Sequence, residues 1–401
     1  MVPRTKKRRL TDSAEDKSQE ICKPATLAQK DSWNGFCEIE SEPALFNVML
    51  REFGVKGVKI QEIISLDEEM LEFLNKPIYG LIFLFRWRED DAEKQEASCP
   101  DGLWFANQTA DNACASVALL NIVNNIPDIE LGEHLRHFKE FTMPFTPALR
   151  GDAINNFEFV KRVHNSFARK MDILSTDFQL KSESKNKKRS KGQEDSESDV
   201  TFHFIAFMPA LGQLWKFDGL ERQPQALGAC SVDDWLQVAR PNILDRMAAY
   251  EEGQIEFSIL GLVRDPILDL TKQLACNVRQ LERLNARLLA SDEQPSVKAM
   301  LADLNETLLG PDLSFELTPA AINAASIPEV EFDSCSIPEL QEELRKLRDE
   351  QQMLRGRIRE EQQSQRLDED HATGRRYDYG PAVRTWLRFL ARKQLLAELL
   401  D

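Results

Sequence analysis

Thr201-Phe-His-Phe-Ile-Ala-Phe-Met208 and Leu214-Trp-Lys-Phe-Asp-Gly219 flank Pro209-Ala-Leu-Gly212. The two apolar runs read as strands and the segment between them as a turn, which makes a β-hairpin. Closing it with Pro209 opposite Gly212 sets His203 directly across from Asp218. Period-two alternation then puts Phe202, Phe204, Met208, Trp215 and Phe217 on one face, the expected core side. His203 and Asp218 share the other face with Thr201 and Lys216. A carboxylate opposite an imidazole fixes the ring tautomer and supports its charged form. The competing reading is a hydrogen-bonded pair with no chemical task. Register carries the distinction, because a slip of one residue separates the two side chains.

A second constellation lies upstream. Cys114 falls in Thr109-Ala-Asp-Asn-Ala-Cys-Ala-Ser-Val-Ala-Leu-Leu-Asn-Ile-Val123, where Ala113 to Val123 has no Gly or Pro. Asp111 or Asn112 offers an N-cap, and Asn124-Asn125-Ile126-Pro127 offers a stop. The spacing therefore predicts Cys114 in the first turn of an apolar helix. Unpaired N–H groups and the positive end of the helix dipole favour a thiolate there. Gln108 precedes that turn and can aim its amide at a tetrahedral oxyanion. Taken alone, Cys114 also reads as a small buried hydrophobe. Together with the His–Asp pair, the set favours nucleophilic catalysis by a thiol.

These residues resemble a known family. Gln108, Asp-Asn-Ala-Cys-Ala at 111–115, Phe-His-Phe at 202–204 and Phe-Asp-Gly-Leu at 217–220 look like the ubiquitin carboxyl-terminal hydrolases. Gly80-Leu-Ile-Phe-Leu-Phe-Arg-Trp87, His164-Asn-Ser-Phe-Ala-Arg169 and Leu227-Gly-Ala-Cys-Ser-Val-Asp-Asp-Trp235 resemble that family's long-form, proteasome- and chromatin-associated branch. The likeness runs over roughly residues 32–265 and a shorter C-terminal stretch. It implies an α/β (α+β), papain-like catalytic domain with a helical C-terminal extension. It also implies cleavage after the C-terminal glycine of ubiquitin, without metal or cofactor. On the family's motif, Cys114 becomes the nucleophile, His203 the general base and acid, Asp218 the residue orienting His203, and Gln108 the oxyanion-hole donor.

Composition agrees with that class. The chain has 401 residues, 42% of them hydrophobic, enough for a full catalytic core and appendages. A net charge of −16 argues against specific nucleic-acid binding and suits a basic partner such as ubiquitin's arginine-bearing tail. Seven scattered cysteines, with no CxxC, point away from disulfides and structural zinc and towards a reducing intracellular compartment. No stretch approaches a membrane span and no secretory leader is visible, so a soluble chain is expected. His134 and His137 sit one helical turn apart, but with no third ligand nearby they read as a solvated pair.

Four regions follow. Residues 1–31 are polar and read as a disordered tail. Within it, Pro3-Arg-Thr-Lys-Lys-Arg-Arg9 is a basic cluster of the kind read by import receptors, so nucleus and cytoplasm are both expected. The catalytic unit spans 32–265, with a helix opening at Pro43 after Ser41 or Glu42 and a last strand at Phe257–Val263. The highly charged stretch at about 175–199 matches the family's crossover loop and is expected to be mobile and to gate large leaving groups.

Residues 266–330 carry a seam at Leu274, Val278, Leu281 and Leu288, coiled-coil-like in spacing. A second seam in 331–401 uses Leu340, Leu344, Leu347, Leu354 and Ile358, with Gln351 at the missing position. Both can fold back on the chain or bind another protein. Arg375-Arg-Tyr-Asp-Tyr-Gly-Pro381 and the run to Ala391 resemble the branch's docking domain, whose partner is a proteasomal ubiquitin receptor or a Polycomb-type scaffold. Gly380 and Ala382 stand where relatives carry bulkier apolar side chains. Intramolecular packing is the competing reading for Trp386 and Phe389. The alternatives to a proteasome-docked enzyme are a chromatin-bound histone deubiquitinase and a non-catalytic ubiquitin-binding scaffold.

Overall fold

A computed structural model describes residues 24–86, 94–174, 202–248, 257–290, 295–305, 307–326 and 335–393. The basic cluster at 3–9 and the stretch 175–199 lie outside these residues. The described chain divides after Val263 and again after Leu367 into two compact units.

The first unit is built on a six-stranded sheet in the order β1-β6-β2-β3-β4-β5. Its strands are β1 (Val58–Glu62), β2 (Ile78–Arg86), β3 (Phe202–Ala210), β4 (Gln213–Phe217), β5 (Gln225–Ala229) and β6 (Phe257–Arg264). Around it run α1 (Pro43–Phe53), α2 (Cys114–Val123), α3 (Glu133–Thr142), α4 (Pro147–Asn155), α5 (Glu158–Asn165) and α6 (Trp235–Ala248). Helix α1 opens with Pro43 at N1 and closes on Gly54 in the left-handed conformation, the expected punctuation of a helix. Helix α2 is apolar on all sides, and every residue from Ala115 to Val123 is buried, so it forms the centre of the unit.

The hairpin closes differently from the Pro209–Gly212 expectation. Ala210 pairs with Gln213, Met208 with Trp215 and Ala206 with Phe217. The turn is the two-residue Leu211-Gly212, both at positive φ (53° and 74°). The expected closure would have put Ala210-Leu211 in the turn; the observed one puts Gly212 at a positive-φ position, in a two-residue turn whose hand matches the natural strand twist. Relative to the expected closure, the register moves by two residues, and a two-residue step leaves every side chain on its own face. His203 and Asp218 therefore still share a face, as diagonal rather than direct partners.

Both faces of the hairpin are covered. Phe204, Ala206, Met208, Trp215 and Phe217 pack with α2 in one core. Ile205, Phe207 and Leu214 pack with Phe83, Phe85 and the α6 residues Trp235, Ala239 and Ile243 in a second core. The near-continuous apolar run from Phe204 to Met208 is the signature of a strand buried on both sides, and it outweighs the alternation, whereas Phe202, expected on the core side, begins the strand 40% exposed.

The second unit contains α7 (Ile267–Leu289), α8 (Pro295–Leu304), α9 (Pro319–Ala324) and most of α10 (Ile337–Arg376). Leu340, Leu344 and Leu347 pack with Leu281, Leu284 and Leu288. Leu354 and Ile358 pack with Leu270, Leu274 and Val278. Late residues of one helix thus meet early residues of the other, so the two seams fold back on each other antiparallel. Gln351 is buried between them: its amide donates to Asn277 Oδ1 at 3.2 Å and to the Leu308 carbonyl at 3.1 Å.

The chain's last described segment belongs to the first unit. Arg375 donates to Glu40 (2.8 Å), the Phe167 carbonyl (2.9 Å) and Asp172 (3.1 Å). The Arg376 guanidinium lies 4.7 Å over the Phe167 ring. Beyond them, α11 (Gly380–Arg392) buries no residue, and Trp386 and Phe389 are 60% and 56% exposed. Among the described residues, packing leaves both rings mostly exposed, with only the Lys393 ammonium over the Phe389 ring at 5.5 Å.

Candidate active site

Cys114 is the first residue of α2 and is half-buried. The N-cap is Ala113, not the expected Asp111 or Asn112, and no side chain caps the helix. Asn112 sits at φ 60° and its amide donates to the Phe36 carbonyl at 3.4 Å, so it shapes the approach to the helix instead. The first N–H groups of a helix have no intrahelical acceptor. No side chain caps those beside Cys114, so the positive end of the helix dipole is left at the thiol.

His203 stands at the start of β3, opposite Phe85 of β2, and is buried. Its Nε2 lies 2.7 Å from Asp218 Oδ1, and the Leu220 N–H donates to the same oxygen at 3.0 Å. The Cys114 thiol is the ring's other hydrogen-bonding neighbour. With Nε2 engaged by the carboxylate, Nδ1 is the nitrogen left for sulfur. Burial pulls the His203 pKa down, but the hydrogen bonds and charges of Asp218 and Cys114 outweigh it and raise it to about 9. Asp218 moves the other way: burial would raise it, and the bond to His203 and nearby charge hold it below the usual carboxylate range.

Gln108 meets the same turn. Its N–H donates to the Gly219 carbonyl at 2.8 Å. A Cβ on Gly219 would stand 3.0 Å from Gln108 Cβ and 3.1 Å from its nitrogen, so the close approach requires glycine. Gln108, Cys114, His203 and Asp218 are thus gathered by three pieces of backbone: the segment before α2, its first turn, and the β3–β4 hairpin with the turn beyond it.

A second cysteine and histidine show what a Cys–His neighbourhood looks like without chemistry. His164 is fully buried, with Nδ1 2.8 Å from Ser116 Oγ of α2 and Nε2 2.7 Å from the Cys37 carbonyl. Burial lowers its pKa to about 4, so it stays neutral. Burial pushes the Cys37 thiol up to about 12, and its sulfur approaches the His164 carbonyl, not the ring. This pair anchors α2, as a structural role for His164 requires. The His134 ring lies tilted against Phe159 at 4.5 Å between centroids, and His137 Nε2 lies 2.9 Å from the Arg136 guanidinium.

Sequence reading missed two features. Asn121 of α2 and Asn125 just past its end bond both ways with the chain that leads to Gln108: Asn121 with Ala106 (2.8 and 3.2 Å), Asn125 with Trp104 (2.8 and 2.6 Å). An asparagine inside Leu119-Leu-Asn-Ile-Val123 was the available signal, since a polar group there must find a partner. The other is a buried ion pair, Lys216 Nζ to Glu221 Oε1 at 2.8 Å, whose lysine is among the charges that hold Asp218 ionised. Lys216 was visible on the His203 face, but its partner depends on a turn that alternation does not describe.

The family model of ubiquitin carboxyl-terminal hydrolase, family 1, matches residues 36–248. The chain belongs to this family of cysteine peptidases and is a deubiquitinase of its class. Ubiquitin carboxyl-terminal hydrolase isozyme L5 of Dictyostelium discoideum is 36% identical over 254 residues, covering 63% of this chain and 69% of that protein. Ubiquitin carboxyl-terminal hydrolase ubh-4 of Caenorhabditis elegans is 33% identical over 294 residues, covering 73% of this chain and 82% of that one. A solved structure of Trichinella spiralis UCH37 bound to ubiquitin vinyl methyl ester is 31% identical, covers 67% of this chain and 96% of its own, and superposes with a TM-score of 0.46.

Proposed function

We propose that this chain hydrolyses the bond that follows the C-terminal glycine of ubiquitin, with Cys114, His203, Asp218 and Gln108 carrying the reaction. The observation behind this reading is one imidazole held at 2.7 Å by a buried carboxylate, with a helix-terminal thiol as its other partner. With the proton of the Cys114–His203 pair held on the imidazole, as the raised His203 pKa favours, the sulfur attacks the glycine carbonyl. The oxyanion takes hydrogen bonds from the Gln108 amide and the Cys114 N–H. His203 returns the proton to the leaving amine, leaving a thioester that water, deprotonated by His203, hydrolyses to free ubiquitin. Incubation with ubiquitin joined by an isopeptide bond to a peptide tests this by mass. Ubiquitin ending in its terminal carboxylate is the expected product, and tight binding without release would instead favour the scaffold reading.

Two quantitative outcomes belong to the same reading. Gln108→Ala should lower kcat about 10²- to 10³-fold with little change in KM, since its amide acts on the developing oxyanion. kcat/KM should fall on the alkaline side as pH rises through about 9, where His203 loses the proton the leaving amine needs. An alkaline limb near the ordinary histidine pKa would contradict the buried His–Asp–Cys arrangement.

The reading extends to the C-terminal helix. Val383, Trp386 and Leu387 fall on one stripe of α11 and all are exposed, with Phe389 exposed beside them. That surface supports docking on a proteasomal ubiquitin receptor or a Polycomb-type scaffold. The basic cluster at 3–9 supports residence in the nucleus as well as the cytoplasm. Co-purification with the parent chain and with Trp386→Ala/Phe389→Ala, asking whether proteasome or chromatin subunits are lost, distinguishes the partners.

A further inference from the structure

The turn from Asp218 to Glu221 does two jobs at once. Its first residue holds the His203 ring, and its second accepts the Gln108 N–H. Internally it is closed by the Glu221 N–H on the Asp218 carbonyl at 3.1 Å and by the Leu220 N–H on Asp218 Oδ1 at 3.0 Å. Asn107 ties it from outside, its amide donating to the Glu221 carbonyl at 2.5 Å. A second tie between the turn and the sheet, besides Asp218 on His203, is the contact of Lys216 in β4 with Glu221 at 2.8 Å, their side chains only 1% and 9% exposed.

A buried ion pair adds little net stability over apolar side chains of similar volume, because desolvation offsets the attraction. What it adds is direction: it favours the placement of the turn that keeps the two buried charges in contact. Lys216 lies two residues before Asp218 in the chain, and Glu221 three residues after it. A shift of the turn therefore moves Asp218 from His203 and Gly219 from Gln108 together.

We propose that the Lys216–Glu221 pair is a positioning device for catalysis, which locks the Asp218–Glu221 turn so that the base and the oxyanion donor are aligned by one constraint. This rests on the roles given to Asp218 and Gln108 above. Neither charged side chain touches substrate in this account; both act through the turn.

The test compares the parent chain with an apolar double variant, Lys216→Met/Glu221→Met, and a charge-swapped one, Lys216→Glu/Glu221→Lys, on ubiquitin carrying a C-terminal fluorophore. The apolar variant should stay folded, with kcat lowered about 10- to 100-fold and KM within about twofold, as expected of ångström-scale misalignment. Its alkaline limb should move down by about half a pH unit, because a loosened Asp218 supports the imidazolium less well. The swapped pair should restore both kcat and the limb. A reduced folded fraction would lower the amplitude of the profile without moving the limb. The proposal is overturned if the apolar variant keeps parental kcat and pH profile, or if its loss of rate tracks loss of fold at an unchanged limb. Should the apolar variant not fold, the swapped chain decides alone: parental kcat and limb support the pair, and a folded but impaired swap overturns it. His203→Ala run in parallel separates the two levels, since turnover surviving there sinks the catalytic assignment itself and not merely the pair.

Discussion

A Cys114→Ala chain is expected to bind ubiquitin and release none of it from a conjugate. The thiol is the only atom of the site that forms a covalent bond in the reaction, so its loss cannot be shared out among the remaining groups. By comparison with removal of the nucleophile from other hydrolases, kcat should fall by about 10⁶-fold. Labelling by ubiquitin bearing a C-terminal electrophile should vanish with it. Binding should survive, because Cys114 contributes little surface and α2 is anchored elsewhere, by Ser116, Asn121 and Asn125. Turnover within about a hundredfold of the parent would assign the chemistry to another residue, since a lost nucleophile costs far more than that. Cys37 is no substitute: it is fully buried and its thiol is held up at about 12.

His203→Ala should match that loss, at about 10⁵- to 10⁶-fold in kcat, because base and nucleophile act as a unit. It makes a second prediction that the cysteine variant does not. The folded-state pKa of His203 is raised from 6.5 to about 9. A raised pKa means that the folded protein holds the proton more tightly than the unfolded chain. The stabilisation is therefore complete below pH 6.5 and disappears as pH rises through about 9. Thermal melts of parent and variant should accordingly lie furthest apart near pH 6 and converge above pH 9. A gap that widens with rising pH would reverse the sign and show that the parental ring is neutral when folded.

Much of the geometry of this site is legible in the sequence. The helix at Cys114, the hairpin, and the shared face of His203 and Asp218 all follow from local periodicity and turn chemistry. The face survived an error in register because strand parity is preserved by a two-residue step. The closure itself was misjudged because Pro209 looks like a turn residue, whereas Leu211-Gly212 supplies the two positive φ values that a tight hairpin needs. The helix cap was misjudged for a related reason: Asn112 is spent on a left-handed turn and a bond to Phe36, which leaves Ala113 to open the helix. Lys216–Glu221 and the asparagine ties from α2 were out of reach, since both join segments that only the folded chain brings together. The seams at 274–288 and 340–358 were visible as spacing, but spacing does not reveal whether a helix finds its partner in its own chain.

The amide of Gln351 interrupts one of those seams, and its consequence is mechanical. Two helices joined by leucines alone can slip by a turn and exchange one leucine contact for another at small cost. With Gln351 bonded to Asn277 and Leu308, any such slip strands buried amide groups, at about 1–3 kcal/mol for each group left without a partner. The pairing of α7 with α10 therefore behaves as a keyed joint and not a sliding one. A force applied along α10 would be borne by that key, so the helix pair should move as a single strut or not at all.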